Sequence, residues 1–280
     1  MQRIFDNCHA AIDLAMKDKS FAIYNSESSS TSISMHVHEV CEVFLALSDG
    51  RSFIIDDKIY PIRRGDLFII NPFESHKVSA QGLDKFVRFS LSVHPAFLHE
   101  NSFGGMDLSA CFFVEKDSHR VAILEEEIAN LVDLVNKACR AYDYAEELLQ
   151  KTHAVQFLVE VNRLFFLHSE KTENVFEHKA VQLAVDYINK NYAQELPLET
   201  IAKNAYVSVS QLCRLFRRYC STTVTKYIVA KRISVAKKLL SEGKSVTEAA
   251  FLSGFNDYAH FIRTFKKIVG IPPGKYRMDN

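Results

Sequence analysis

Leu198-Glu199-Thr200-Ile201-Ala202-Lys203-Asn204-Ala205, then Tyr206-Val207-Ser208, then the run from Val209 to Tyr219, decides how this chain folds. Ile201, Ala202, Ala205, Val207, Leu212 and Phe216 stand where two crossed helices need apolar or small residues, and Ser208 can cap the second helix. That is helix-turn-helix spacing. The second helix leaves Ser210, Gln211, Cys213, Arg214, Arg217 and Arg218 for solvent, a face without an acid, whereas an idle helix surface normally mixes its charges.

The pattern repeats further on, with Val246 to Leu252 as a first helix, Ser253-Gly254-Phe255 as the turn, and about Asp257 to Val269 as a second helix. Gly254 suits a turn position that needs a positive φ, and Asn256 or Asp257 can cap the helix behind it. Tyr258, His260, Arg263, Lys266 and Lys267 are left outward, while Phe255, Phe261 and Phe265 read as core. Between the units, Val224 to Leu240 reads as one helix spanning ~25 Å at ~1.5 Å per residue. Such a strut can hold two recognition helices in adjacent major grooves, which lie ~34 Å apart on one face of a duplex.

The net charge of zero over 280 residues hides a division. From Pro197 to the end there are 15 Lys and Arg against 5 Asp and Glu, which leaves 19 against 29 before it. The tail therefore carries +10 and the front −10, which points to a polyanion as partner of the tail alone.

Outward from the tail the period changes. From about Phe21 to Val114, short β-type runs (Cys41 to Leu47, Ser52 to Ile55, Asp66 to Ile70, Phe86 to Val93) alternate with turn residues, which predicts an antiparallel sandwich or barrel. Beyond Ser118 the apolar residues Val121, Leu124, Ile128, Leu131, Val132 and Val135 predict an amphipathic helix, and a second follows from about Tyr142 to His168. These two helices either cover the β-rich unit or form a dimer seam. Ser169 to Asn174 is the polar linker candidate.

Six cysteines without a Cys-x-x-Cys pair fit free thiols in a reducing compartment. No signal-peptide-like start and no run approaching ~18 apolar residues is found, so a cytoplasmic protein without a membrane partner is expected.

About one hundred residues, from Glu177 to Arg277, resemble the AraC/XylS family of transcription regulators. The resemblance is carried by Leu198, Ala202, Ser208, Leu212, Arg214 and Phe216; by Arg232, Ala236 and Leu239-Leu240; and by Ala249-Ala250, Gly254-Phe255, Phe261, Arg263, Phe265-Lys266-Lys267, Gly270, Pro272-Pro273 and Tyr276-Arg277. It implies two recognition helices in the major groove. Ser210, Gln211, Cys213 and Arg214 would read bases from the first, and Tyr258, Ala259, His260, Ile262 and Arg263 fall at the corresponding positions of the second. Ser208, Arg217, Arg218, Asn256, Lys266 and Lys267 complete the expected DNA-binding set, with Arg218, Lys266 and Lys267 as phosphate contacts. Cys220-Ser221-Thr222 stands where the family usually carries Gly.

His36-Val37-His38-Glu39-Val40-Cys41-Glu42 and Gly65 to His76 resemble the two motifs of the cupin barrel, the usual sensor of that family. In an extended strand His36, His38 and Glu42 share parity and can point into one cavity. With His76 they are the expected effector contacts. In cupin enzymes His38, Glu42 and His76 would bind a divalent metal; here Glu74 replaces the Gly expected after Pro72, and no metal or other cofactor is expected. Arg51, Arg88, Phe73 and Phe89 can help grip a ligand.

The expectation is thus an α+β multidomain chain: a cupin-like antiparallel β-barrel (1–118), amphipathic helices for dimerisation or packing (119–168), a linker (169–176), and an all-α domain with two helix-turn-helix units (177–280). Its partners would be double-stranded DNA, a small-molecule effector such as a sugar, a second copy in a homodimer, and RNA polymerase. It would not be an enzyme; the alternatives are a cupin metalloenzyme with a DNA-binding tail and a constitutive regulator whose barrel only dimerises.

Overall fold

A computed structural model describes residues 3–5, 7–28, 35–56, 58–79, 83–113, 119–168, 179–220 and 222–279. The expected linker and Ser221 lie outside the described residues.

The β-rich half runs β1 (Ile4–Phe5), α1 (Cys8–Lys17), β2 (Phe21–Ser28), β3 (Cys41–Ala46), β4 (Ser52–Ile55), β5 (Lys58–Pro61), β6 (Asp66–Ile70), β7 (His76–Ser79), β8 (Phe86–Val93), α2 (Pro95–Asn101), α3 (Ala110–Phe113) and β9 (Arg120–Ala122). Its strands form a six-stranded sheet in the order β1-β2-β8-β3-β6-β9 and a three-stranded sheet β5-β4-β7, antiparallel except for β1 on β2. Two layers, rather than one continuous hydrogen-bonded barrel, are therefore what the described strands build.

Alternation in β3 sorts the two cores. Cys41, Val43 and Leu45 face a core shared with Leu67, Ile69 and Leu91, while Phe44 and Ala46 face the second sheet and meet Phe53, Tyr60, Phe68 and Phe86. Over the first core lie α4 (Glu125–Cys139) and α5 (Glu146–His168), through Ile128, Leu131, Phe157, Leu158 and Val161. The helices thus cover their own sheet.

Two expected starts move. Arg120–Ala122 is a strand rather than the first turn of a helix: Val121 pairs with Leu67 and is buried, and α4 begins only where three glutamates and the Glu127 carboxylate, accepting the Leu124 N–H at 2.8 Å, suit a helix N-terminus. Leu124 is exposed, not core. The second helix begins at Glu146, after Ala145 at φ +53°, not at Tyr142.

Asp66, at the start of β6, accepts the Arg63 N–H at 2.7 Å and approaches Arg120 at 3.6 Å, yet burial pushes its carboxyl up to about 6. The folded chain then keeps a proton that the unfolded chain, at the ordinary carboxylate value, has released. Stability is expected to fall as pH rises between about 4 and about 6, and Asp66→Asn, which cannot ionise, to flatten that fall; urea midpoints across the window check it.

The helical half comprises α6 (Lys179–Asn191), α7 (Leu198–Asn204), α8 (Val209–Cys220), α9 (Val224–Ser241), α10 (Val246–Leu252), α11 (Tyr258–Val269) and α12 (Pro273–Asp279). Phe216, Leu212, Ile201, Tyr227 and Ile228 pack one core with α6; Ile233, Ala236 and Leu240 pack the other with Ala249, Phe255, Phe261 and Phe265. The strut α9 therefore contributes to both units.

Candidate functional site

The two helix-turn-helix units close their turns with the same hydrogen bonds. Ala205, Tyr206 and Val207 N–H donate to Ile201, Lys203 and Ala202; Ser253, Gly254 and Phe255, each 48 positions on, donate to Ala249, Phe251 and Ala250. The left-handed residue is Tyr206 (φ +57°) in the first turn and Gly254 (φ +91°) in the second. A Cβ on Gly254 would lie 2.6 Å from the Tyr192 carbonyl oxygen and 2.8 Å from Ala193 Cα. Arg232 of α9 also donates to Tyr192 and Gln194 carbonyls at 2.9 and 2.8 Å. The end of α6 is thereby tied to both the strut and the second turn.

Capping differs between units by one residue. Ser208 Oγ accepts the Gln211 N–H at 3.2 Å while Gln211 Oε1 accepts the Ser208 N–H at 3.1 Å; in the second unit Asp257, not Asn256, caps by accepting the His260 N–H at 3.0 Å. The Gln211 side chain, expected to read bases, is thus engaged with the cap. Ser208, Ser210, Gln211, Arg214, Arg217 and Arg218 are exposed and Cys213 is half-buried; Asn256, Tyr258, Ala259, His260, Arg263, Lys266 and Lys267 are exposed and Ile262 is half-buried. Every side chain expected to meet DNA therefore keeps a surface, and from Tyr258 to Val269 α11 carries no acid.

In the β-rich half the residues grouped by parity come together, but by a different path. The chain bends at Glu39–Val40 instead of running extended into β3, and His36 pairs through its backbone with His76, by N–H to carbonyl bonds of 3.1 and 3.0 Å. The bend still delivers the cluster. His38 Nδ1 donates to the Val40 carbonyl at 3.0 Å and His76 Nδ1 to the Glu74 carbonyl at 2.9 Å, so both Nε2 atoms turn toward Glu42 Oε2, at 3.0 and 3.3 Å. Against burial, hydrogen bonds from His38 and His76 hold the Glu42 carboxyl well below the usual carboxylate range. Burial works downward on His76 too, but its Glu42 bond raises the imidazole; on His38 burial prevails and lowers it.

His36, half-buried, stacks its ring edgewise 4.2 Å from that of His76, and one donor atom from each of His36, His38, Glu42 and His76 lies within 4.8 Å of the others. Three imidazoles and a carboxylate match a divalent transition ion, and the Nδ1–H groups of His38 and His76 already donate to carbonyls as those of metal-bound imidazoles do. The residue set therefore fits a metal as well as an effector. Glu74 is no defect here: it accepts the Asn71 N–H at 2.7 Å and pairs with His119 at 3.0 Å.

The space between the sheets is filled with rings, Phe44 to Phe53 and Phe53 to Phe68 each 4.8 Å apart, and Arg88 is buried among Tyr24, Phe44 and Phe86. Phe89 belongs to the other core and Arg51 is exposed. The open volume lies on the outer side of the cluster: a cleft of about 1340 Å³ between the halves, with His36 and His38 on one wall and Arg217, His260 and Lys267 on the other. Sequence reasoning missed the contacts between the halves: Glu39 with Lys237 and Tyr276, all three on the cleft wall, and Asp56 with Lys231.

Among the described residues no helix is long and apolar enough to cross a membrane. Residues 201–279 match the model of a helix-turn-helix domain family. The chain is 25% identical to an uncharacterized HTH-type transcriptional regulator, YdeC, of Bacillus subtilis (strain 168), over 89% of this chain and 87% of the relative. It is 33% identical to the melibiose operon regulatory protein of Escherichia coli (strain K12), over 35% of this chain and 32% of that one. A crystal structure of ToxT from Vibrio cholerae with an unsaturated fatty acid bound aligns with 92% of this chain and 95% of its own, at 13% identity and a TM-score of 0.38. Residues 201–279 are thus a helix-turn-helix domain, with two such units on one strut, and the chain as a whole is similar to proteins named as transcription regulators.

Proposed function

We propose that the chain is a sequence-specific regulator whose two recognition helices read duplex DNA under control of a small-molecule effector bound at the His36, His38, Glu42 and His76 cluster. One observation carries the reading: α8 and α11, fixed to one strut, both present exposed basic faces without an acid. Arg214 and Arg263 are the base readers, suited to guanine, while Arg217, Arg218, Lys266 and Lys267 contact phosphates. Residues 1–118, with Arg120–Ala122 completing the sheet, sense; 119–168 pack and join two copies; 177–280 bind DNA in the cytoplasm and meet RNA polymerase. The chemistry is recognition rather than catalysis.

A carbohydrate suits the cluster because imidazoles and a carboxylate bond hydroxyl groups, and it accords with the relative named for the melibiose operon. The four converging donors favour a second reading, in which the cluster holds a divalent metal. Thermal shift against carbohydrates, other metabolites and divalent metals separates these readings. Saturation at ~100 times Kd is expected to stabilise the chain by ~2.7 kcal/mol, an effect lost in His38→Ala. If nothing in any panel raises the melting temperature, effector control is refuted and the β-rich half is a fixed scaffold.

A further inference from the structure

The inner face of the six-stranded sheet changes character beneath α1. The register sets Ala22, Ser92 and Glu42 side by side, then Tyr24, Ser90 and Phe44, then Ser26, Arg88 and Ala46. Alternation turns all of them toward the same side. Most are alanine or serine, whose short side chains leave room above the sheet, and Glu42 of the histidine cluster stands at one end of the strip with Arg88 at the other. α1 roofs the strip, packing Ala11, Ile12 and Ala15 against Ala22, Tyr24 and Val40. The Cys8 thiol, at the start of α1, feels both ends: burial and then the Glu42 carboxylate push it up to about 11, against the pull of Arg88.

Arg88 is the anomaly of this strip. It is 1% exposed, the most buried arginine among the described residues, and a guanidinium keeps its charge. The exposed Arg64 and Arg163 are each clasped by a glutamate, Glu125 and Glu160, through two hydrogen bonds. Arg88, among the described residues, forms no ion pair; its Nη2 donates to the Tyr24 hydroxyl at a long 3.4 Å, and its buried Nη1 has no acceptor. Tyr24, Phe44 and Phe86 surround it, with Cζ 5.0 to 5.9 Å from their ring centroids. Rings attract a cation, but they do not satisfy an N–H fork, and a buried charge without a partner is costly. A bidentate acid is what such a fork fits.

We propose that Arg88 reads an acid group on the effector: a ligand bound at the histidine cluster lies along the Ser90 and Ser92 strip beneath α1 and places a carboxylate or phosphate on the Arg88 fork. Glu42 and Arg88 stand four residues apart in register, ~13 Å along the strands, a span that their side chains and one sugar ring ending in an acid fill. Glu42 accepts hydroxyls and repels an acid, which orients the ligand. The proposal rests on the effector reading above and narrows it from carbohydrates in general to anionic ones.

The test uses the full chain at constant ionic strength and three matched probe sets: neutral hexoses, hexuronates and hexose phosphates. One of the acid sets is expected to raise the melting temperature where its neutral parents do not, and which one responds separates carboxylate from phosphate. The front of the chain carries −10 and offers anions no general attraction, so such a response reports a specific cation. Arg88→Met is expected to bind the acid about 10-fold or more weakly, yet to melt at or above the wild type without ligand, because an apolar chain of similar size replaces an unpaired buried charge. A ligand-free Arg88→Met that melts below the wild type makes Arg88 a structural cation and overturns the proposal. Should that variant not fold, Arg88→Lys, which keeps the charge and loses the fork, is expected to bind the acid more weakly than the wild type, and equal binding overturns the proposal. A neutral hexose that stabilises the wild type and Arg88→Met alike overturns it and leaves the effector reading standing. Silence from both acid sets also overturns it, and the response of the neutral set, tested with His38→Ala, decides the effector reading separately.

Discussion

Gly254→Val is expected to cost ~3 kcal/mol or more and to unfold the second helix-turn-helix unit first. The backbone at Gly254 sits at φ +91°, where a residue with a Cβ is strained by ~1–2 kcal/mol, and that Cβ would land 2.6 Å from a backbone oxygen that cannot swing aside. The obstructing Tyr192 carbonyl is held by Arg232, so relief would break a second contact. Tyr206→Gly, at the equivalent turn position, should do the opposite: Tyr206 is 87% exposed at φ +57°, and glycine there is expected to stabilise by ~0.5–1 kcal/mol. Urea unfolding of both variants checks the pair. Equal effects at the two turns would mean that the close approach at Tyr192 is not what demands glycine.

Replacing Arg214 and Arg263 together by alanine is expected to weaken binding to a selected duplex by ~2–6 kcal/mol, at ~1–3 kcal/mol for each bidentate contact, and to relax the preference at two positions of the site. Both side chains are exposed one turn before the basic pairs Arg217-Arg218 and Lys266-Lys267, which suits a base reader flanked by phosphate contacts. Lys266→Ala with Lys267→Ala should instead lower affinity evenly across sequences and reduce the salt slope by ~0.9 for each lost phosphate contact. Titrations of both double variants against matched and mismatched duplexes distinguish these roles; the same selectivity loss from both would leave the arginines without a reading role.

Much of this architecture can be read from the residues because period and burial agree. The strands at Ser52, Asp66 and Phe86 run between the expected residues, and α10 spans Val246–Leu252 as its pattern implies. Elements whose residues look polar escape such reading: β7 (His76–Ser79) takes its strand form from pairing with β4, not from alternation, and β5 ends in Pro61 at an edge. Val121 fits a helical period and a strand equally well, and its pairing with Leu67 decides.

The cluster shows the same division. Parity brings His36, His38 and Glu42 together on paper, and they do meet, but through a bend and a bridge to His76 that no periodicity encodes. The cavity expected inside the β-rich half is occupied by phenylalanines, a packing visible only once the two sheets face one another. The docking of α9 is the least readable feature, since Lys231, Ser234 and Lys237 look like a solvated stripe until Asp56, Phe73 and Glu39 are placed opposite them.

Selection of duplexes from a random pool by the intact wild-type chain, followed by affinity across a salt series, tests the central claim most directly. Two recognition helices on one strut predict a site of two short elements about one helical turn, ~34 Å, apart, bound with an affinity that falls linearly in log–log salt. A pool that shows no enrichment at any salt, with the effector panels present, would contradict the account.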